Sequence, residues 1–102
     1  MSSLEGKVKQ WAKDRGIDKP ENAPKQYMKV MEEMGEIAAA INKNDSEKLI
    51  DSFGDVQVSL IILAKQLGVD YHGSLKTAYD VISNRTGKTI NGVFVKTEDL
   101  PK

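Results

Sequence analysis

Acidic residues at helical spacing are the part of this chain best suited to chemistry. Glu32, Glu33 and Glu36 form one short run. Asp51 and Asp55 form a second run further along the chain. Carboxylate oxygens are the ligands that hard divalent cations prefer, and proteins use such cations to handle the phosphates of nucleotides. The two runs therefore predict a metal site, provided that they lie on helices that pack together.

An acidic run is also what an ordinary solvated helix surface looks like. Glu32 and Glu36 are four residues apart, which is a common spacing for exposed neighbours on a helix. Glu33 and Glu36 project from neighbouring turns beside an apolar stripe, so both can reach an adjacent helix. Asp55 borders apolar residues of its own helix, where an unpaired charge is costly to bury, so we expect a cation to meet it.

The elements that position these side chains are amphipathic helices, because apolar residues recur every three or four positions. The pattern predicts helices over residues 3–15, from near Pro24 to about Asn42, from Asp45 to Leu67, and over about residues 71–85. Residues 86–102 contain an Asn-Gly pair and a Val-Phe-Val run, which predict a turn and an extended segment. The expected fold class is therefore all-α: a four-helix antiparallel bundle with a short extended C-terminal tail.

The helix ends carry their own signals. Ser2 followed by Glu5 resembles a capping box for the first helix, and Gly16 follows the end of that helix. Asp45 and Asp70 precede the third and fourth helices, where an aspartate side chain can accept hydrogen bonds from free backbone N–H groups. We therefore expect both aspartates to act as caps.

The third helix is apolar on two sides. Its expected inner stripe consists of Leu49, Phe53, Val56, Leu60, Leu63 and Leu67, and its expected outer side carries Val58, Ile61 and Ile62. A chain this short has few other elements with which to cover both sides. Self-association is the natural solution, and we expect a homodimer or a homotetramer.

The composition is that of one small domain. With 102 residues, 39% hydrophobic and 29% charged, we expect a single domain spanning residues 1–102. Fifteen lysines and arginines balance fifteen acidic residues, so no net field favours a nucleic-acid polymer or an anionic membrane. The chain has no cysteine, no apolar run long enough to cross a bilayer and no apolar leader, so we expect a cytoplasmic protein.

Several segments together resemble a known family. They are residues 27–37 around the first acidic run, Gly54-Asp55-Val56, Ala78-Tyr79, residues 85–88, and residues 91–96. The chain resembles the MazG-like nucleoside triphosphate pyrophosphohydrolases over nearly its whole length from about Gln26. The resemblance implies an all-α bundle that uses Mg²⁺, with Mn²⁺ as an alternative, to convert nucleoside triphosphates to monophosphates and pyrophosphate.

That family carries an EExxE motif and an ExxD motif on neighbouring helices. By resemblance, Glu33, Glu36 and Asp55 hold the metal, and Glu32 is the catalytic residue that orients the attacking water. Ser52 stands where the second motif has its glutamate, and a neutral hydroxyl is a weak substitute for a carboxylate. Asp51, or Ser52 acting through a bridging water, is a further candidate ligand.

Candidate substrate contacts lie outside the two motifs. The cationic candidates for binding phosphate are Arg85, Lys96, Lys76 and Lys88, and each is equally compatible with a solvated surface position. Trp11 either stacks on a nucleobase or packs in the core. His72 has no second histidine or cysteine at ligand spacing, which favours a surface or capping role.

The serine at position 52 keeps a second function open. The alternative to a working hydrolase is a catalytically weak nucleotide-binding or regulatory bundle, and a purely structural helical oligomer is a third interpretation.

Overall fold

The computed structural model describes residues 3–101 and contains four α-helices followed by a small antiparallel sheet. The helices are α1 (Leu4–Asp14), α2 (Ala23–Lys43), α3 (Ser46–Leu67) and α4 (Tyr71–Ser83), and the strands are β1 (Gly87–Ile90) and β2 (Val93–Lys96). Short 3-10 turns occupy Pro20–Asn22 and Thr97–Asp99. The predicted four helices are confirmed, and the extended tail is a hairpin. Within residues 3–101, no helix is both long and apolar enough to span a bilayer.

The chain divides into two compact units. The first ends at Tyr71 and contains α1, α2 and α3, and the second begins at His72 and contains the rest of α4 with the hairpin. The packing of all four helices in one bundle, and the single domain expected from the length, stay predictions.

The helix ends follow local capping chemistry. The Ser3 hydroxyl accepts a hydrogen bond from the Gly6 backbone N–H at 3.0 Å at the start of α1. The capping role expected of Ser2 falls on a residue outside the described range. The Asp45 carboxylate accepts from the Lys48 backbone N–H at 3.0 Å, which confirms the predicted cap of α3. This cap fixes the direction in which α3 leaves the turn after α2.

Helices α2 and α3 pack side by side in opposite directions. At one end, the Gln26 side-chain amide donates to the Ser59 carbonyl oxygen at 3.0 Å. At the other end, the Asp45 backbone N–H donates to the Ala40 carbonyl oxygen at 3.1 Å. The first contact joins the two helices and sets their register, whereas the second is the capping bond that closes the C-terminal end of α2 before the turn into α3.

The inner and outer faces predicted for α3 are only partly correct: Val56, expected inside, is buried, and Val58, expected outside, is 38% exposed. Ile61 and Ile62, expected on the outside, are 8% and 4% exposed, whereas Phe53 and Leu67, expected inside, are 53% and 58% exposed. The reason is that α1 and α2 both pack against α3 and cover adjacent sides of it. One exposed side of the helix is the outer face of α3, which consists of Ile50, Phe53, Gln57, Leu60, Ala64 and Leu67. It contains no charged residue. Asp51, Asp55 and Val58 are exposed on another side of the same helix.

Polar contacts hold the segment between α1 and α2 against the end of α3. The Gln66 side-chain amide donates to the Ile17 carbonyl oxygen at 2.7 Å. One residue earlier on α3, the Lys65 ammonium lies 3.5 Å from the Asp18 carboxylate. Gln66 is 3% exposed, so a polar side chain occupies a position that periodicity assigns to the core. The three helices of the first unit are therefore joined by polar contacts as well as apolar ones.

The hairpin of the second unit is closed by a two-residue turn. Asn91 and Gly92 have φ values of 51° and 80°, and Ile90 pairs with Val93 on either side of them. Positive φ at both central positions is the geometry that lets two strands with native twist meet, and Asn-Gly is the preferred sequence for it. The turn predicted from Asn91-Gly92 is thus explained by its backbone.

We predict that Gly87→Ala disrupts this hairpin. A Cβ at Gly87 would meet the Val95 carbonyl oxygen and would lie 2.7 Å from Phe94 Cζ. Overpacking of this kind destabilises by about 1–3 kcal/mol, and faster amide hydrogen exchange in β1 and β2 would report it. Gly35→Ala is the matched control, because a Cβ there meets nothing within 4 Å. On helix propensity it should stabilise α2 by up to about 1 kcal/mol.

Candidate functional site

The first acidic motif lies on α2 at the edge of its packed face. Glu33 follows Gln26 by two helical turns, so its side chain points to the same side as the amide that contacts α3. The Glu33 side chain is 18% exposed, and that of Glu36 is 53% exposed. Glu32 is exposed. The motif therefore presents one partly buried and two open carboxylates.

Ser52 lies opposite Glu33. It precedes Ser59 by two turns of α3, and it is buried, with 4% of its surface exposed. Because α2 and α3 run in opposite directions from the Gln26–Ser59 contact, two turns along each helix bring Glu33 and Ser52 to the same level. The position that departs from the family pattern is therefore inside the interface between the two motif helices.

Lysines neutralise two of the expected metal ligands. The Lys29 ammonium lies 3.7 Å from the Glu33 carboxylate on the same helix. The Lys48 ammonium reaches from α3 to α2 and lies 3.1 Å from the Glu36 carboxylate. Asp55 is exposed, and no lysine or arginine of residues 3–101 forms an ion pair with it.

The donor types fit a divalent cation, but the expected ligands are not gathered into one group within residues 3–101 of this structure. Glu33, Glu36 and Asp55 offer carboxylate oxygens, which suit Mg²⁺ and Mn²⁺. Within the described part of the chain, however, no three histidine, cysteine, aspartate or glutamate side chains are gathered closely enough to hold a metal ion. Asp51 is exposed and Ser52 is buried, and both stay predictions as further ligands. The ligand set stays a prediction.

Among the described residues of the second unit, some cationic residues already form ion pairs with acidic residues, and others do not. The Lys76 ammonium lies 2.9 Å from Asp80, and that of Lys96 lies 3.9 Å from Asp99 and 4.0 Å from Glu98. Arg85 lines an open cleft of about 480 Å³ together with Ile82 and Phe94. Lys88 is exposed on β1. Among the four candidate cations of this unit, Arg85 is thus the one that lines an open cleft with an aromatic neighbour.

Trp11 is not a core residue. It is 46% exposed, and the Arg15 guanidinium lies over its ring at 4.2 Å from the centroid. One side of the ring borders a groove of about 320 Å³ lined by Leu4, Lys7, Val8 and Val58. An exposed indole beside a groove keeps base stacking open as a prediction.

Sequence reasoning missed Lys48 and Arg15. Neither residue belongs to a motif, and each acquires its role from a neighbour that the fold supplies: Glu36 for Lys48 and the Trp11 ring for Arg15. The four-residue spacing of Trp11 and Arg15 was the one available signal, since such pairs meet on a helix surface. No signal pointed to Lys48, because its partner lies on another helix.

A family comparison decides what kind of protein this is. The sequence profile described as the MazG nucleotide pyrophosphohydrolase domain matches residues 23–91, which include both acidic motifs and more than half of the chain. The chain belongs to the MazG family. The resemblance noted in the sequence is thereby confirmed at the level of the family.

One relative of this MazG-family chain is a phage protein. The protein described as an uncharacterized 18.2 kDa protein in the rep-hol intergenic region of Haemophilus phage HP1 (strain HP1c1) is 39% identical over 70 residues. Those residues are 69% of this chain and 43% of the phage protein, so the chain spans less than half of that relative's length. No solved structure matches the chain.

We predict that Ser52→Glu destabilises this MazG-family fold in the absence of metal. The new carboxylate would enter a buried position opposite Glu33, where an unpaired charge costs on the order of several kcal/mol unless a cation pairs with it. The melting temperature in EDTA should therefore fall, and Mn²⁺ should restore it. Ser52→Ala is the control and should melt close to wild type in both buffers. An unchanged melting temperature for Ser52→Glu in EDTA would show that position 52 tolerates a charge without metal.

Proposed function

We propose that this MazG-family protein hydrolyses a nucleoside triphosphate to the monophosphate and pyrophosphate. The observation that carries the proposal is the complete first motif on α2, which lies against α3 within the matched segment. The partly buried Glu33 and the open Glu32 and Glu36 give that segment carboxylates of different exposure. Such a set suits both cation binding and handling of a water molecule.

The reaction requires one bond to form and one to break. A water oxygen attacks the α-phosphorus, the bond from that phosphorus to the bridging oxygen breaks, and pyrophosphate leaves with the electron pair. Glu32 orients the water and accepts its proton. Glu33, Glu36 and Asp55 are the proposed ligands of a divalent cation, which when bound neutralises phosphate charge.

Position 52 supports a second candidate function. With Ser52 in place of a carboxylate, the motif carries one negative charge fewer, which weakens the attraction for a divalent cation. The alternative is therefore a nucleotide-binding or regulatory bundle with little turnover. Arg85, Lys76, Lys88, Lys96 and Trp11 remain predictions as substrate contacts under either function.

A nucleotide panel tests the proposed reaction. We expect monophosphate and pyrophosphate from at least one nucleoside triphosphate in the presence of Mg²⁺ or Mn²⁺. Glu32→Gln should lower kcat by about 100-fold or more, because a general base contributes at least that much. Glu47→Gln is the control, since Glu47 is an exposed residue in the first turn of α3 outside both motifs. Product chromatography measures all three proteins.

The panel also separates the two candidate functions. Absence of product with every triphosphate, combined with retained binding of the same nucleotides, would favour the non-catalytic bundle. Absence of both product and binding would refute nucleotide handling by this chain.

We also propose that the outer face of α3 pairs with the same face of a second copy. Phe53, Leu60 and Leu67 on this face repeat every seven residues, which is the spacing of a helix–helix seam. The uncharged face is self-complementary, as a two-fold symmetric interface requires. A homodimer satisfies this arrangement, and a homotetramer is two such dimers.

Phe53→Glu should shift the protein toward monomer. A carboxylate within an apolar seam leaves a buried charge without a partner, so association should weaken by at least tenfold. Sedimentation velocity at micromolar concentration measures the change. Glu21→Gln, which alters an exposed charge before α2, should leave the distribution unchanged. A wild-type protein that sediments as a monomer would contradict the proposal.

A further inference from the structure

Lys48 is unusual among the lysines of the first unit because it ties the two motif helices together. Its ammonium lies 3.1 Å from Glu36 Oε2, and its side chain is 38% exposed. By contrast, the pairs Lys9–Glu5 and Lys29–Glu33 each lie within one helix at a four-residue spacing. The Lys48–Glu36 contact therefore depends on the register of α2 and α3.

Local structure holds Lys48 in this place. Its backbone N–H donates to the Asp45 carboxylate at 3.0 Å, which fixes the first turn of α3. Ser52 lies one turn further along the same side of α3, at the level of Glu33. The lysine therefore occupies the turn adjacent to the position at which the family pattern has lost a carboxylate.

The charges at this point oppose metal binding. Any divalent cation held by Glu36 must either displace the ammonium or share the carboxylate with it. Two like charges within about 5 Å repel appreciably even in a largely aqueous setting, and salt weakens the effect only in part at that distance. The partly exposed Lys48 side chain can move away when a cation binds, but the Lys48–Glu36 ion pair is then broken. The free energy of that ion pair is subtracted from the free energy of cation binding.

We infer that Lys48 competes with the divalent cation for Glu36 and thereby weakens metal binding by the protein without substrate. The inference rests on the proposed function, because it takes Glu36 as a metal ligand. It assigns to Lys48 a role that is independent of turnover: the lysine sets the metal concentration at which the site fills. Lys48 is a positioning residue that acts through Glu36.

Direct titration with Mn²⁺ tests the inference without any substrate. Electron paramagnetic resonance of the free ion gives the Kd for wild type and for Lys48→Met. We expect Lys48→Met to bind about 3- to 10-fold more tightly, which corresponds to removing one nearby positive charge. Lys48→Arg keeps the charge and should bind like wild type.

Two controls separate this effect from a general change in charge. Lys9→Met removes a lysine whose ammonium also lies 3.1 Å from a glutamate, but on α1 outside the motifs, and its Kd should stay within about twofold of wild type. In a Glu36→Gln background, Lys48→Met should tighten binding less than it does in wild type, because the carboxylate for which the two cations compete is gone and only the charge repulsion remains. Circular dichroism checks that every variant is folded.

The possible failures are distinguishable. If wild type binds Mn²⁺ and Lys48→Met binds equally or more weakly, the inference is overturned and the proposed metal site stands. If wild type, Lys48→Met and Ser52→Glu all fail to bind Mn²⁺, the proposed metal site is refuted and the inference with it.

Discussion

The antiparallel register of α2 and α3 is the constraint on which the rest of this structure depends. The Gln26 amide reaches across to the Ser59 carbonyl oxygen, and Asp45 closes the other end of the pair. A shift of α3 by one turn would break the Gln26–Ser59 contact and move Glu33 away from Ser52. Because each acidic motif lies on only one helix, this register decides which groups of the two motifs face each other.

The register is held by an interface that combines buried apolar residues with small polar ones. Ser52 and Ser59 are two turns apart on the inner face of α3, and both are nearly inaccessible. The Ser59 hydroxyl donates to the Val56 carbonyl oxygen of its own helix at 3.0 Å, so its burial leaves no donor unsatisfied. Small side chains at these positions, with Ala40 on α2, allow the helices to approach closely. The bulky residues of α3 are consequently left for other faces.

This explains which parts of the structure the sequence could predict. The four helices and the Asp45 cap follow from periodicity and local hydrogen bonding, which act within a few residues. The orientation of α3 does not follow from these signals, because apolar periodicity assigns Phe53 and Leu67 to the core and leaves Ser52 and Ser59 outside it. Likewise, the motif residues were placed on the correct helices, but the Lys48–Glu36 contact needed the register of two helices. Family membership was predictable because the motifs are contiguous in sequence.

The charge balance around the first motif has a consequence for folding. Facing helices that both carry carboxylates repel each other until a cation is bound, so such a fold gains stability from metal. Here Ser52 removes one carboxylate from the interface, and Lys29 and Lys48 neutralise Glu33 and Glu36. The α2–α3 pair is joined by the Lys48–Glu36 ion pair and the Gln26–Ser59 hydrogen bond. At the proposed metal site, the ion pair that joins the helices occupies a carboxylate that the cation needs. The proposal therefore implies that stability without metal and affinity for metal oppose each other there.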